Sequence, residues 1–237
     1  MIPVQVNRTR AVAALALCLA CAPAGGTSQS GETTSVTRTD TASVAARPAP
    51  TDSSITRADL ARIQGSASAP VWVIEVSDFQ CPYCKQWHDQ TYNTFVDQYV
   101  KTGKVRLAYV NFPLQSHVHA MVAAEAAMCA GAQGKFWAMH DALFNTQAKW
   151  EVLPSPAQYF DSLARANDVP MQPWRDCVSS GKMKPLIAAD QDRASRAGAS
   201  ATPSFMIGDH LLVGAQSIEE LRRIIDSALV KGKSTRP

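Results

Sequence analysis

Cys81-Pro82-Tyr83-Cys84 is the feature that most constrains what this chain can fold into. It follows directly on VWVIEVSDF, Val71 to Phe79, a β-branched apolar run with one interior acid, Glu75, that reads as a buried central strand. Helical text then runs from Pro82 towards Val100, with the proline where a first helical turn tolerates one. Two thiols separated by two residues at a helix start can close a small disulfide ring. Unsatisfied N–H groups and the helix dipole favour negative charge on the first sulfur, and a thiolate is the attacking species in thiol–disulfide exchange. The spacing assigns Cys81 as an exposed nucleophile and Cys84, one turn in, as a buried resolving thiol. Half of many zinc sites carries the same spacing. Here no second CxxC and no HxxxH lies within finger spacing, and the strand-then-helix context favours redox chemistry over zinc or a purely structural disulfide.

The remaining elements follow from periodicity and punctuation. Thr102-Gly103 ends the first long helix, and KVRLAYVNFPL reads as a second strand. A helical block runs from about 117 to 197, with Met121, Val122, Glu125, Met128 and Cys129 at helical spacing, then Phe136, Met139, His140, Leu143 and Phe144. Ser155-Pro156 reads as a cap and first-turn proline for a further helix, and Gly181 stops another. PSFMIGDHLLVG reads as a β-hairpin turning at Gly208-Asp209, and Ser217 caps a last helix. Strands alternating with helices imply an α/β sheet. The helical block is long enough to be a domain inserted over that sheet.

The N-terminal residues read as an export leader, 1–24. Arg8 and Arg10 precede the apolar run AVAALALCLA, which is short of the ~20 residues a spanning helix needs. Two processing readings compete: cleavage after Ala22-Pro23-Ala24, or a lipobox ending at Cys21, which would then carry a lipid. The position three before Cys21 is Cys18 rather than the usual Leu. Both readings place the mature protein outside the cytoplasm, as a periplasmic protein with or without a lipid anchor, where disulfides persist. Residues 25–57 are rich in Ser, Thr, Ala, Pro and Gly and read as a flexible tether. The folded part is expected over 58–237. The net charge of +3 is small, and no basic stripe for nucleic acid is present.

VWVIEVSDFQCPYC, GKFWAMHDALF, and ATPSFMIG with GAQS after it occur in this order, with the helical insert between them. Together they resemble the DsbA-like branch of the thioredoxin superfamily, over essentially everything from residue 58 onward. The resemblance implies an α/β thioredoxin-like fold with an inserted helical domain, and disulfide exchange with exported proteins.

Three further assignments combine residues with that resemblance. Thr202-Pro203, an X-Pro before a strand, reads alone as a trans proline at a strand start; in the family the matching proline is cis and lies opposite the dithiol. Pro203 is therefore placed in the active site, with Thr202, Pro82 and Tyr83 at the substrate. Glu75 matches the family's buried acid, implying proton exchange with Cys84; period-two counting leaves open that it points to solvent from the other face. Cys129 and Cys177 both fall on helices of the insert. Two buried thiols would be tolerated there, while related exported members suggest a structural bridge.

Smaller signals complete the reading. His88 reads as a helix-surface residue, or as an imidazolium tuning Cys81. His117 and His119 lack a third ligand, so no metal is expected. Trp87, Phe112 and Pro113 read equally as a substrate rim and as core. The function implied is exchange through Cys81, without a dissociable cofactor, on exported proteins bearing cysteines, with a membrane redox partner, DsbB-like or a reductant equivalent. The tether cannot be the dimerisation domain that such isomerases carry, which favours a monomeric oxidase. A reductase or isomerase, and a non-catalytic binding or chaperone module, are the alternatives.

Overall fold

The computed structural model describes residues 52–234, with side chains to 230. The leader, Cys21 and nearly all of the expected tether lie outside the described residues. Helical structure is present on the N-terminal side of the expected boundary at 58. Helix α1 (Ser53–Ala61) starts on Asp52, whose side chain accepts the Ser54 N–H at 2.8 Å. Its Ala58 is fully buried and Ile55 packs against the same core, so this end of the polar segment is tied down by contacts that composition does not reveal.

One sheet carries the fold, in the order β1-β3-β2-β4-β5. The central strand β2 (Val71–Ser77) pairs in parallel with β3 (Val105–Asn111) and antiparallel with β4 (Ser204–Ile207). The hairpin partner β5 (His210–Val213) forms one edge, turning at Gly208 and Asp209. The two-residue β1 (Ile63–Gln64), absent from the sequence reading, forms the other edge against β3. The chain turns away from β1 at Gly65, with φ +98°, where an added Cβ would sit 2.5 Å from the Val105 carbonyl oxygen; only glycine fits.

After β2 the chain enters α2 (Pro82–Trp87), a π-helical turn over His88–Tyr92, a short α3 (Asn93–Phe95) and a second π-helical turn over Val96–Val100. Trp87, Phe95 and Tyr99 pack with Val73, Leu107 and Phe205 of the sheet and with Leu221 and Ile225 of α10 (Ile218–Ser234). Trp87 is thus core rather than rim, and Phe112 and Pro113 are also buried.

The helical insert comprises α4 (Ala120–Gly131), α5 (Phe136–Asn145), α6 (Gln147–Trp150), α7 (Ala157–Ala166), α8 (Met171–Ser180) and α9 (Lys184–Arg196). Helix α7 is capped at Pro156 without a side-chain bond, so Ser155 does not serve as the expected cap. Cys129 on α4 and Cys177 on α8 form a disulfide. The last insert helix is fixed to the sheet by charge: the Asp190 carboxylate, wholly buried, accepts from the Arg62 guanidinium and from Asn111 Nδ2 at 3.1 Å. Arg62 also donates to the Tyr109 carbonyl at 3.2 Å. Burial opposes the charge on Arg62, and the Asp190 and Asp59 carboxylates together outweigh it, so the guanidinium pKa is raised. The insert's core includes Met128, Leu143, Trp150, Phe160 and Trp174, and it takes in Phe79, Cys81 and Cys84.

Candidate active site

The dithiol sits where β2 hands over to α2. Asp78, Phe79 and Gln80 make the link, the Cys81 N–H donates to the Asp78 carbonyl at 3.0 Å, and Cys81 is the helix N-cap with Pro82 in the first turn. The Cys81 carbonyl accepts the Lys85 N–H at 3.1 Å, closing the first turn. Cys84 therefore lies directly inside Cys81, and both are free thiols.

The Thr202–Pro203 bond is cis, and the Thr202 carbonyl accepts the Cys81 thiol at 3.4 Å. This loop and the insert cover the nucleophile: Cys81 is only 3% exposed, against the exposed position its helix-start placement suggested. Tyr83, next but one, is 62% exposed and Pro82 is exposed, so the dithiol lies beneath an open surface formed by its own intervening residues. The Thr202 hydroxyl is buried and without a hydrogen-bond partner among the described residues. It is free to donate to a Cys81 thiolate.

The two thiols are driven apart. The Cys84 thiol lowers the Cys81 pKa most, with the Thr202 side chain and the Cys84 and Tyr83 N–H groups adding to it against burial, and the result is about 6. Burial, followed by proximity to Cys81, pushes Cys84 well above the ordinary thiol range. Glu75 faces inward. It is wholly buried, opposite Tyr109 on β3 and Phe205 on β4, with no partner for either carboxylate oxygen among the described residues. Burial raises its pKa to about 8, so a proton is held there near neutrality.

Asp78 and Gln147, both hydrogen-bonded to the dithiol segment, carry no signal of their role in the sequence. The buried Asp78 carboxylate accepts from Gln80 N, Leu114 N and His117 Nδ1. Gln147 of α6 donates to the Phe79 and Cys81 carbonyls at 2.7 and 3.1 Å. His119 bonds the Leu153 carbonyl. His88 is 4% exposed rather than on the surface. It faces Asp89 at 3.2 Å and Asp141 at 3.4 Å, and bonds to these carboxylates, Asp141 foremost, raise its pKa against burial. The π-helical turn that carries it places His88, Thr91 and Tyr92 inward.

His88, His140 and Asp141 have ligand atoms within 4.8 Å of one another, a set that could hold a cation. The same Asp141 oxygen already lies 2.8 Å from His140 Nδ1 and 3.4 Å from His88 Nε2. Tyr92, Trp137 and Phe144 pack around His140. Asp141 Oδ1 thus links the two imidazoles, while His140 Nε2 is buried without a hydrogen-bond partner among the described residues.

The sequence model of a family described as thioredoxin matches residues 58–227. A Na(+)/H(+) antiporter NhaA 1 of Salinispora arenicola is 33% identical over 76% of this chain, but the chain spans only 26% of that relative's length. A probable disulfide bond formation protein D of Bacillus anthracis is 25% identical over 70% of this chain and 77% of its own. Among solved structures, alpha-DsbA1 of Wolbachia pipientis superposes with a TM-score of 0.66 at 22% identity, covering 73% of this chain and 92% of that one.

Proposed function

The chain belongs to the thioredoxin family, and from that premise we propose that it is a thiol–disulfide oxidoreductase of exported proteins, acting as an oxidase through Cys81 and Cys84. The observation that carries this reading is the opposite displacement of two adjacent thiols, Cys81 down to about 6 and Cys84 well up. A thiolate stabilised at Cys81 favours the reduced dithiol, which makes the corresponding disulfide oxidising.

In the proposed cycle a substrate thiolate attacks Cys81 Sγ of the Cys81–Cys84 disulfide. That bond breaks and Cys84 leaves with the electron pair, taking up a proton from Glu75. A second substrate thiolate attacks the substrate sulfur of the mixed disulfide and releases Cys81 as its thiolate. The substrate has lost two electrons and the dithiol has gained them, and a membrane redox partner returns it to the disulfide. Thr202, beside cis-Pro203, presents its backbone and hydroxyl to the reacting sulfur, while the exposed Pro82 and Tyr83 meet the substrate chain. Cys129–Cys177 serves as a structural bridge. An exported location, soluble or held by a lipid on Cys21, fits the use of a second disulfide.

Oxidative refolding of reduced ribonuclease and the equilibrium potential against glutathione test the reading. Wild type should accelerate refolding, Cys81→Ser should not, and the potential should lie above that of thioredoxin, about −270 mV. A lower potential would identify a reductase, and equal rates for the two proteins would leave no role for the dithiol.

A further inference from the structure

Asp78 touches both halves of the dithiol loop through different atoms. Its N–H donates to Cys84 Sγ at 3.5 Å, and its carbonyl accepts the Cys81 N–H at 3.0 Å. Its carboxylate, in a residue 2% exposed, accepts Gln80 N at 2.7 Å, Leu114 N at 2.9 Å and His117 Nδ1 at 2.7 Å. Gln80 belongs to the same loop, whereas Leu114 and His117 come from the segment between β3 and α4. The carboxylate therefore holds the residue that donates to Cys84 from a second, separate piece of chain. A wholly buried sulfur has no water to stabilise negative charge, so a fixed N–H donor matters more there than at the surface.

We propose that Asp78 is a positioning residue for the Cys84 half of exchange: clamped by Leu114 and His117, it keeps its own N–H on Cys84 Sγ and stabilises that sulfur while it is anionic. The inference rests on the exchange reading above. In resolution, Cys84 gives its proton to Glu75 in the fraction of molecules where that carboxyl is ionised, and its thiolate attacks Cys81 Sγ of a mixed disulfide. The Cys81–Cys84 bond forms, the bond from Cys81 to the partner sulfur breaks, and the partner leaves as a thiolate with the electron pair. In the reverse direction Cys84 is the leaving group. Its sulfur is anionic either way, so the clamp acts in both.

Reaction of the full chain, with Cys18 and Cys21 replaced by serine and only the Cys81–Cys84 pair reduced, with 5,5′-dithiobis(2-nitrobenzoate), followed by stopped-flow absorbance, separates the two steps. Cys81 attack releases one thionitrobenzoate, and Cys84 attack on the resulting mixed disulfide releases the second. Cys84→Ser marks the first phase alone. Asp78→Asn should slow the second phase about tenfold or more, since a hydrogen bond to a charged group is involved, and leave the first within about twofold. His117→Ala, which removes a single clamp from a partly exposed side chain, should slow the same phase to a smaller extent and serves if Asp78→Asn does not fold. Removing a carboxylate near thiols favours thiolates and would by itself speed both steps, so selective slowing is the mark of lost positioning. An unchanged second phase in the folded variants, or both phases falling together, would overturn the proposal. A wild type lacking the second phase would overturn the exchange reading itself, and this inference with it.

Discussion

Glu75 has a folded pKa of about 8 against an ordinary 4.5. Between those values the folded protein retains a proton that the unfolded chain has released, so Glu75 makes stability fall as pH rises through this window, with no further loss above it. Glu75→Gln removes that penalty. We expect the variant to be more stable than wild type at pH 9, by roughly 3–5 kcal/mol at most, and nearly equal at pH 4.5, in urea unfolding of the reduced proteins. Coincident curves at pH 9 would mean that Glu75 is not buried as described. Cys81 has the opposite sign: its folded pKa lies below the ordinary 9.0, so its thiolate adds stability above that value which is lost as pH falls through about 6. Iodoacetamide should accordingly modify Cys81 with a midpoint near 6, and peptide mapping should find Cys84 protected until the chain unfolds. At this scale legibility followed sequence distance. Cys81 and Cys84 share one helical turn and could be read directly. Asp78 and Gln147 could not, because the partners that tie them across the fold lie 36 to 68 positions away and the residues themselves look like ordinary loop and helix polar groups.

Between elements, the insert is held by two unlike devices. The buried Arg62–Asp190 pair joins α9 to the sheet. Asp190→Ala would leave the buried Arg62 guanidinium with only the half-exposed Asp59 carboxylate and the Tyr109 carbonyl as partners, and a loss of up to about 3 kcal/mol is expected, read as a lower denaturation midpoint. The Cys129–Cys177 bridge joins α4 to α8 across 48 residues. In the chain-entropy picture such a loop contributes about 4 kcal/mol. Replacing both cysteines by Ala should lower the melting temperature while preserving reaction at Cys81, and an unchanged melting temperature would refute the bridge's structural role. The strand, helix and hairpin order was legible because period and punctuation agree there. The start of α1 was not, since Asp52 and Ser53 look like the polar segment before them, and neither was β1, whose pairing depends on β3 more than forty positions away.

For the molecule as a whole, a thioredoxin-like sheet and a helical insert close over one dithiol, and the same hydrophobic cluster contains both the insert's core and the two thiols. That arrangement covers Cys81, which a helix-start argument alone leaves in the open, and only the assembled fold supplies the Thr202 loop that does so. The central claim is that Cys81 makes the intermolecular bond and Cys84 resolves it. Non-reducing electrophoresis of Cys84→Ser and Cys81→Ser, each incubated with a reduced thiol substrate and an oxidant, tests this most directly. Cys84→Ser should accumulate a mixed disulfide mapped to Cys81, and Cys81→Ser should trap little or none, its remaining sulfur being buried with a raised pKa. Equal trapping by the two variants, or a mixed disulfide mapped to Cys84, would contradict it.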